Sequence, residues 1–134
     1  MTQEEKNLLL HDLCGRLPYG VIVDNPNPAG GMWDEAISID TSTKTVTLLY
    51  NGRVFSIDDI KPYLRPMSSM TEDEKLEMWG KFYEKDGHGF PDGIKESMAF
   101  DYVDWLNERH FDYRRLIPSG LAIEVTEENN PYKD

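Results

Sequence analysis

Two short groups of polar residues carry side chains that could do chemistry. On a predicted N-terminal helix, His11 and Cys14 lie three residues apart, and a Cys–His pair can act as a nucleophile and its base. No glycine-rich turn that would stabilise an oxyanion lies beside them, and free cysteines are among the most buried residues. We therefore expect Cys14 to be a buried structural residue, and we assign no catalytic residue.

The second group consists of Asp86, His88 and Asp92 in a glycine-rich loop. Carboxylate and imidazole groups can bind a divalent metal. The spacing lacks the alternating ligands and terminal Glu of a calcium loop, and Gly, Asp and Pro are the residues that turns require. Phosphate-loop, dinucleotide, zinc and hydrolase motifs are also missing from the sequence. The sequence predicts no metal site and no cofactor.

Basic and aromatic residues are grouped in ways that are typical of binding surfaces. Lys61, Tyr63 and Arg65 alternate along an extended segment and are expected to point to one side, with Arg53 near them across the sheet. This grouping could stack on a single nucleic-acid strand. Trp33 follows a Pro/Gly-rich loop, where it either binds a peptide or covers the open end of a sheet.

A second binding candidate follows the third predicted helix. His110, with Arg109, can complement the negative end of the helix dipole, whereas Tyr113 and Arg114 are residue types that dominate binding hot spots. Either a structural or an interactive role suits this segment. The candidate binding residues are therefore Trp33, Lys61, Tyr63, Arg65, His110, Tyr113 and Arg114.

The first half of the chain predicts one helix followed by short strands. Thr2 and Glu5 have the spacing of a capping box, and apolar residues every four positions predict a helix over 3–16. Five short strands are predicted within 20–66, and Asn51-Gly52 is a strong hairpin signal. The order resembles a small Src-homology-3-like barrel. Ile37 and Ile39 are expected on one face of the second strand.

The second half, 71–110, is predicted to be helical, with helices over about 72–84 and 93–110. Leu76, Trp79, Tyr83 and Phe82 are expected to form the apolar face of the first of these helices. In the next helix, Met98, Tyr102, Trp105 and Leu106 are expected to face inward, and Ser97, Asp101, Asp104 and Glu108 to face solvent. Residues 126–134 are expected to form a flexible tail. The fold prediction is a single α+β domain over 1–134.

The charge and cysteine content narrow the class of protein. The net charge of −11 repels phosphate backbones and anionic lipid, so nucleic-acid and membrane partners are disfavoured. One cysteine excludes an intrachain disulfide and fits a reducing compartment. The N-terminus has no signal-peptide pattern, and no apolar run reaches the length of a membrane helix. The expected location is the cytoplasm.

Two stretches are similar to small uncharacterised proteins of gut anaerobes and their prophages. They run from Lys61 to Glu72 and from Asp104 to Ile117, followed by Gly120-Leu-Ala122, and the opening Leu8–Gly20 extends the likeness. This resemblance implies an origin in a phage or mobile element. It implies no activity and no functional residues.

Three hypotheses follow for the function. The first is a non-catalytic module that binds a protein partner through residues 25–34, 61–65 and 110–115. The second is an acidic nucleic-acid mimic that inhibits a nucleic-acid-binding protein through the acidic helix face. The third is an enzyme whose motif is not recognisable in the sequence. The sequence leaves the oligomeric state open.

Overall fold

The computed structural model describes residues 1–24, 33–82 and 99–132. Its helices are α1 (Gln3–Arg16), α2 (Glu72–Phe82) and α3 (Ala99–Glu108). Its strands are β1 (Ile22–Asp24), β2 (Trp33–Asp40), β3 (Thr45–Leu48), β4 (Val54–Ser56), β5 (Tyr63–Pro66), β6 (Phe111–Asp112) and β7 (Ile123–Glu124). The α+β class is confirmed.

Helix α1 begins at the predicted capping box. The Glu5 amide donates to Thr2 Oγ1 at 3.1 Å, and the Thr2 amide donates to Glu5 Oε1 at 2.9 Å. The buried face of the helix contains Leu9 and Leu13, whereas Cys14 is exposed, so its prediction as a buried residue is wrong. The reason is geometric, because Cys14 lies more than a third of a turn from the centre of the buried face.

The first four strands form an antiparallel sheet in the order β1-β2-β3-β4. Helix α1 and the inner face of this sheet contribute to one hydrophobic cluster, in which Val23, Val46 and Leu48 are buried. The hairpin between β3 and β4 turns at Asn51 and Gly52, both with φ of +60°. This confirms the hairpin signal, because Asn and Gly tolerate positive φ better than other residues.

The predicted five-stranded barrel is not confirmed, because the sheet does not close. Strand β5 leaves the first sheet and pairs in parallel with both β6 and β7, forming a second sheet in the order β6-β5-β7. An isolated bridge between Val23 and Pro62 connects this second sheet to β1. The partners of β5 come from more than 40 residues further along the chain, so local spacing could not reveal them.

The two later helices enclose a second hydrophobic cluster. Met78 and Phe82 from α2 pack with Trp105 and Leu106 from α3 and with Phe111. The expected apolar face of α2 is wrong at two positions, since Leu76 is 64% and Trp79 51% exposed. For α3, the inward positions are confirmed at Trp105 and Leu106 and the solvent positions at Asp101, Asp104 and Glu108. Tyr83, Ser97, Met98 and the predicted start of this helix at 93 lie outside the described residues.

The C-terminal segment, expected to be a flexible tail, is anchored at Tyr132. Its hydroxyl donates to the Tyr63 carbonyl at 2.7 Å and accepts from the Ile22 amide at 3.0 Å. The side chain thus ties the last described turn to both sheets. Across the described residues, no helix has the length and apolar character needed to cross a membrane.

Candidate functional site

The predicted binding residue Arg114 belongs to a largely buried ionic cluster that we call the Asp12 cluster, formed by Asp12, Arg16 and Arg114. Arg16 donates from Nε to Asp12 Oδ2 at 2.7 Å, and both residues are fully buried. Arg114 Nη1 donates to Asp12 Oδ1 at 2.9 Å. Arg16 Nη2 also donates to the Phe111 carbonyl at 2.7 Å, which ties α1 to β6.

The predicted binding residue Tyr113 completes this arrangement. The guanidinium carbons of Arg16 and Arg114 lie 5.2 Å and 4.8 Å from its ring centroid, within cation–π range. Its hydroxyl donates to Asn107 Oδ1 at 2.8 Å. Because two guanidinium groups share one carboxylate, the cluster has a net positive charge. The electron-rich face of the Tyr113 ring partly offsets this charge. Tyr113 and Arg114 therefore have structural tasks.

Arg65 is also engaged within the fold. It forms a two-point ion pair with Glu74, with N–O distances of 2.9 Å and 2.8 Å, and it donates to Ser69. Its guanidinium carbon lies 4.2 Å from the centroid of the Phe111 ring. The hydrogen bonds from Arg65 lower the pKa of Glu74 to about 2. Glu74 additionally accepts from the Thr71 amide in a second capping box, so this ion pair also fixes the start of α2.

His110 ends helix α3 in the left-handed conformation, with φ of +65°. Its amide donates to the Asn107 carbonyl, as is usual for a residue just past a helix C-terminus. The ring stacks on Tyr132 with centroids 3.5 Å apart. Burial, with the nearby charges of Arg16 and Arg65, lowers the pKa of His110 to about 4. The side chain is therefore neutral at pH 7 and does not act as a cation on the helix dipole.

An open groove of about 720 Å³ runs past His110 and Tyr132 and is lined by Arg65, Arg109, residues 125–127 and Asn130. Arg109 Nη2 donates to Glu77 at 2.9 Å, so both groove arginines already have carboxylate partners. Glu127 adds a negative charge to the wall. The groove therefore lacks the unpaired positive charge that would select an anionic ligand.

The remaining predicted binding residues lie where β1 meets β5. Trp33 packs edge-to-face on Tyr63, with ring centroids 5.9 Å apart, and Tyr63 is buried. Lys61 is exposed, and its amide donates to Asp24 Oδ1 at 2.7 Å. The alternating segment is thus not a common exposed surface, because Tyr63 faces the interior and Arg65 is paired with Glu74. Trp33 remains partly exposed at the edge of this contact.

The residues with metal-binding potential are only partly within the described chain. In residues 1–24, 33–82 and 99–132, no three His, Cys, Asp or Glu side chains are grouped so as to hold a metal ion. Asp86, His88 and Asp92 lie outside these residues. His11 and Cys14 are both exposed on α1.

A surface that the sequence reasoning missed lies on the outer face of the four-stranded sheet. We call it the outer patch, formed by Ile37, Leu49 and Val54, which are 45%, 61% and 59% exposed. Thr47 of β3 pairs with Ser38 on one side and with Val54 on the other. Val54 thus lies opposite Thr47, Ile37 precedes Ser38 in β2, and Leu49 follows two residues after Thr47 in the chain. The three aliphatic side chains expose roughly 300 Å² of apolar surface, the size of the largest patch on many monomers, which is often functional.

A β-bulge creates this patch. The register passes from Ala36 opposite Leu48 to Ser38 opposite Thr47, which leaves Ile37 as an extra residue. Ile37 therefore lies on the outer face, whereas Ile39 packs on the core, so their predicted common face is wrong. A bulge shifts the alternation of side chains between the two sheet faces by one residue, and no residue pattern in the sequence marks it. One residue in the sequence could have indicated an exposed apolar surface: Leu49 is apolar and directly precedes a turn.

The segment of chain that carries the outer patch is acidic on balance. Between 33 and 59 the chain carries five carboxylates and two basic side chains, Lys44 and Arg53. Asp40, Asp58 and Asp59 are exposed. Asp58 is paired with Lys6 of α1 at 3.3 Å. The segment that carries the outer patch therefore has more acidic than basic side chains, one of which, Asp58, is already paired.

Comparison of the chain with protein-family models, with curated proteins and with solved structures finds no match.

Proposed function

We propose that this chain is a non-catalytic protein-interaction module that binds its partner through the outer patch. The observation that carries the proposal is the exposure of three large aliphatic side chains on one sheet face. Antiparallel sheets with one solvated face normally carry polar residues there. Here Ile37, Leu49 and Val54 occupy such positions.

The size of the patch suits a reversible complex. Burial of roughly 300 Å² at about 25 cal/mol per Å² supplies roughly 7 kcal/mol before the costs of association. A standard interface buries about 800 Å² on each partner, with an apolar centre and a polar rim. The outer patch provides the centre, and the surrounding acidic and hydroxyl residues provide the rim.

This proposal keeps the protein partner expected from the sequence and moves the contact surface. Arg65, Tyr113 and Arg114 are engaged inside the fold, so their loss would act through folding. The phage or mobile-element origin stays part of the proposal, supported by the sequence resemblance alone. The nucleic-acid mimic stays a hypothesis, because the exposed row of Asp101, Asp104 and Glu108 on α3 has no second observation to support it.

A capture experiment with matched variants tests the proposal. Immobilised wild-type protein, the double variant Leu49→Ser/Val54→Ser and the double variant Leu76→Ser/Trp79→Ser are incubated with lysate of the source organism. The second variant is the control, because it removes two equally exposed apolar side chains from α2. Mass spectrometry then compares the retained proteins at equal loading.

The proposal expects a stoichiometric protein that the wild type and the α2 control retain and the sheet variant loses. Retention that survives nuclease treatment excludes a nucleic-acid bridge. Equal retention by both double variants would contradict the assignment to the outer patch. Turnover of a small molecule by the purified chain would instead contradict the non-catalytic part.

A further inference from the structure

Among the described residues, backbone groups of β4 at the edge of the sheet have no strand partner. In the β3–β4 ladder, the Leu48 amide donates to the Arg53 carbonyl, and the Ile57 amide donates to the Lys44 carbonyl. Because bonded pairs alternate in an antiparallel ladder, Phe55 bonds to β3, whereas Val54 and Ser56 direct their amides and carbonyls away from it. Strand β4 is an outer strand of the sheet among the described residues.

This edge adjoins the outer patch. Val54 belongs to both, and its side chain is 59% exposed. An added strand would place every second side chain beside Val54 on the outer face, because side chains alternate along a strand. The backbone edge and the apolar face would then be covered by the same segment.

Charge indicates the nature of that segment. The chain carries −11 overall and three more acidic than basic residues between 33 and 59. A second copy would bring together two surfaces of the same sign, which costs free energy, whereas a basic segment gains from attraction.

We propose that the partner docks by adding an extended, positively charged segment with alternating apolar residues as a fifth strand beside β4. Main-chain hydrogen bonds to Val54 and Ser56 supply pairing, and the apolar side chains of the segment contact the outer patch, as in other cases of strand addition. This inference rests on the proposed function and names the class of partner.

Ser56 offers a matched pair of variants. Its φ of −65° already suits proline, and Phe55 before it is in a strand, as a residue before proline prefers. Ser56→Pro removes the outward amide and the hydroxyl that accepts from the Asp58 amide. Ser56→Ala removes the same hydroxyl and keeps the amide. The two variants therefore differ mainly in the hydrogen bond that an added strand would use.

The probe is a synthetic peptide of four alternating lysine–valine pairs, and the control peptide replaces each lysine by glutamate. Binding is measured by amide chemical shifts of the ¹⁵N-labelled protein. We expect the basic peptide to shift the Val54 and Ser56 amides of the wild type. We expect at least tenfold weaker binding to Ser56→Pro than to Ser56→Ala, and no binding of the acidic peptide.

Equal affinity of the two Ser56 variants, or shifts confined to other regions, would overturn strand addition. A concentration-dependent dimer in light scattering that Ser56→Pro abolishes would also overturn it, in favour of a second copy. These outcomes are separate from the capture experiment. A partner lost by Leu49→Ser/Val54→Ser but retained by Ser56→Pro would leave the proposed function standing without the added strand.

Discussion

The Asp12 cluster and the outer patch differ in the way their side chains are engaged. Arg16 and Arg114 share Asp12 and the ring of Tyr113 in a largely buried setting. Ile37, Leu49 and Val54 lie in the open on a sheet face. Residue types that are common in binding sites thus stabilise the fold, whereas residue types that are common in cores lie exposed.

This contrast shows that residue type alone does not indicate which side chains are buried in the fold and which are exposed. Removing one partner of a buried ion pair leaves an uncompensated charge, so such residues are costly to lose for folding alone. An exposed aliphatic side chain contributes little to the stability of the fold. The favourable free energy of removing it from water is gained only when a partner covers it. The distinction depends on burial and contacts across the chain, as between Arg16 and Phe111, which are 95 residues apart.

The largest expected effect is at Asp12. Asp12→Asn leaves Arg16 buried without its anion, and we expect a loss of about 3–5 kcal/mol in the free energy of unfolding. Urea denaturation followed by tryptophan fluorescence measures it. Arg114→Met removes the less buried guanidinium, and it should lower the free energy of unfolding clearly less than Asp12→Asn does. A loss below about 1 kcal/mol for Asp12→Asn would mean that the cluster does not hold the fold.

The next effect is a pH dependence at His110. Its pKa is lowered to about 4 from 6.5, so the unfolded chain binds the proton first and stability falls as pH drops from about 6.5 to about 4. The shift corresponds to at most about 3 kcal/mol, and less for a partly solvated ring. His110→Asn, which suits positive φ, should lose this dependence. Unfolding curves at pH 7, 5.5 and 4 give the free energy of unfolding of both proteins. If this free energy changes with pH equally in both, the pH dependence does not come from His110.

A smaller effect is expected at Glu74. Glu74→Gln weakens the pair with Arg65 and should cost about 1–2 kcal/mol in the free energy of unfolding. Because the pKa of Glu74 is lowered to about 2 from 4.5, its stabilisation is present above pH 4.5 and is lost as pH falls toward 2. Glu72→Gln is the control, since its contact with Lys75 is exposed and worth less than about 0.5 kcal/mol. Equal losses in the two variants would contradict the structural role of Arg65.

The smallest effect is expected on the outer patch. Val54→Thr should change the free energy of unfolding by less than about 0.5 kcal/mol, because the side chain is already solvated. Val46→Thr on the buried face of the same sheet should cost about 1–3 kcal/mol, because it buries a hydroxyl. Chemical denaturation of both proteins checks the pair. A large loss at Val54 would mean that the patch serves the fold.

Local sequence signals accounted for the parts of the fold that depend on near neighbours. The capping box at Thr2 and the turn at Asn51-Gly52 each involve residues within three or four positions, and both form. The predicted bounds of the first helix, 3–16, are those of α1 (Gln3–Arg16).

The rest depended on contacts that spacing does not encode. The bulge at Ile37 shifted one strand face. Strand β5 found its partners in β6 and β7, far along the chain. The sequence predicts Arg65 and Arg114 to lie on a binding surface, because it does not reveal their carboxylate partners, Glu74 and Asp12.

We propose that the outer patch, and not the Asp12 cluster, contacts the partner. The most direct measurement compares partner retention by Arg114→Met and by Leu49→Ser/Val54→Ser, under conditions in which both are shown to be folded. The account predicts that Arg114→Met retains the partner like the wild type, while the sheet variant loses it. Loss by Arg114→Met together with retention by the sheet variant would contradict it.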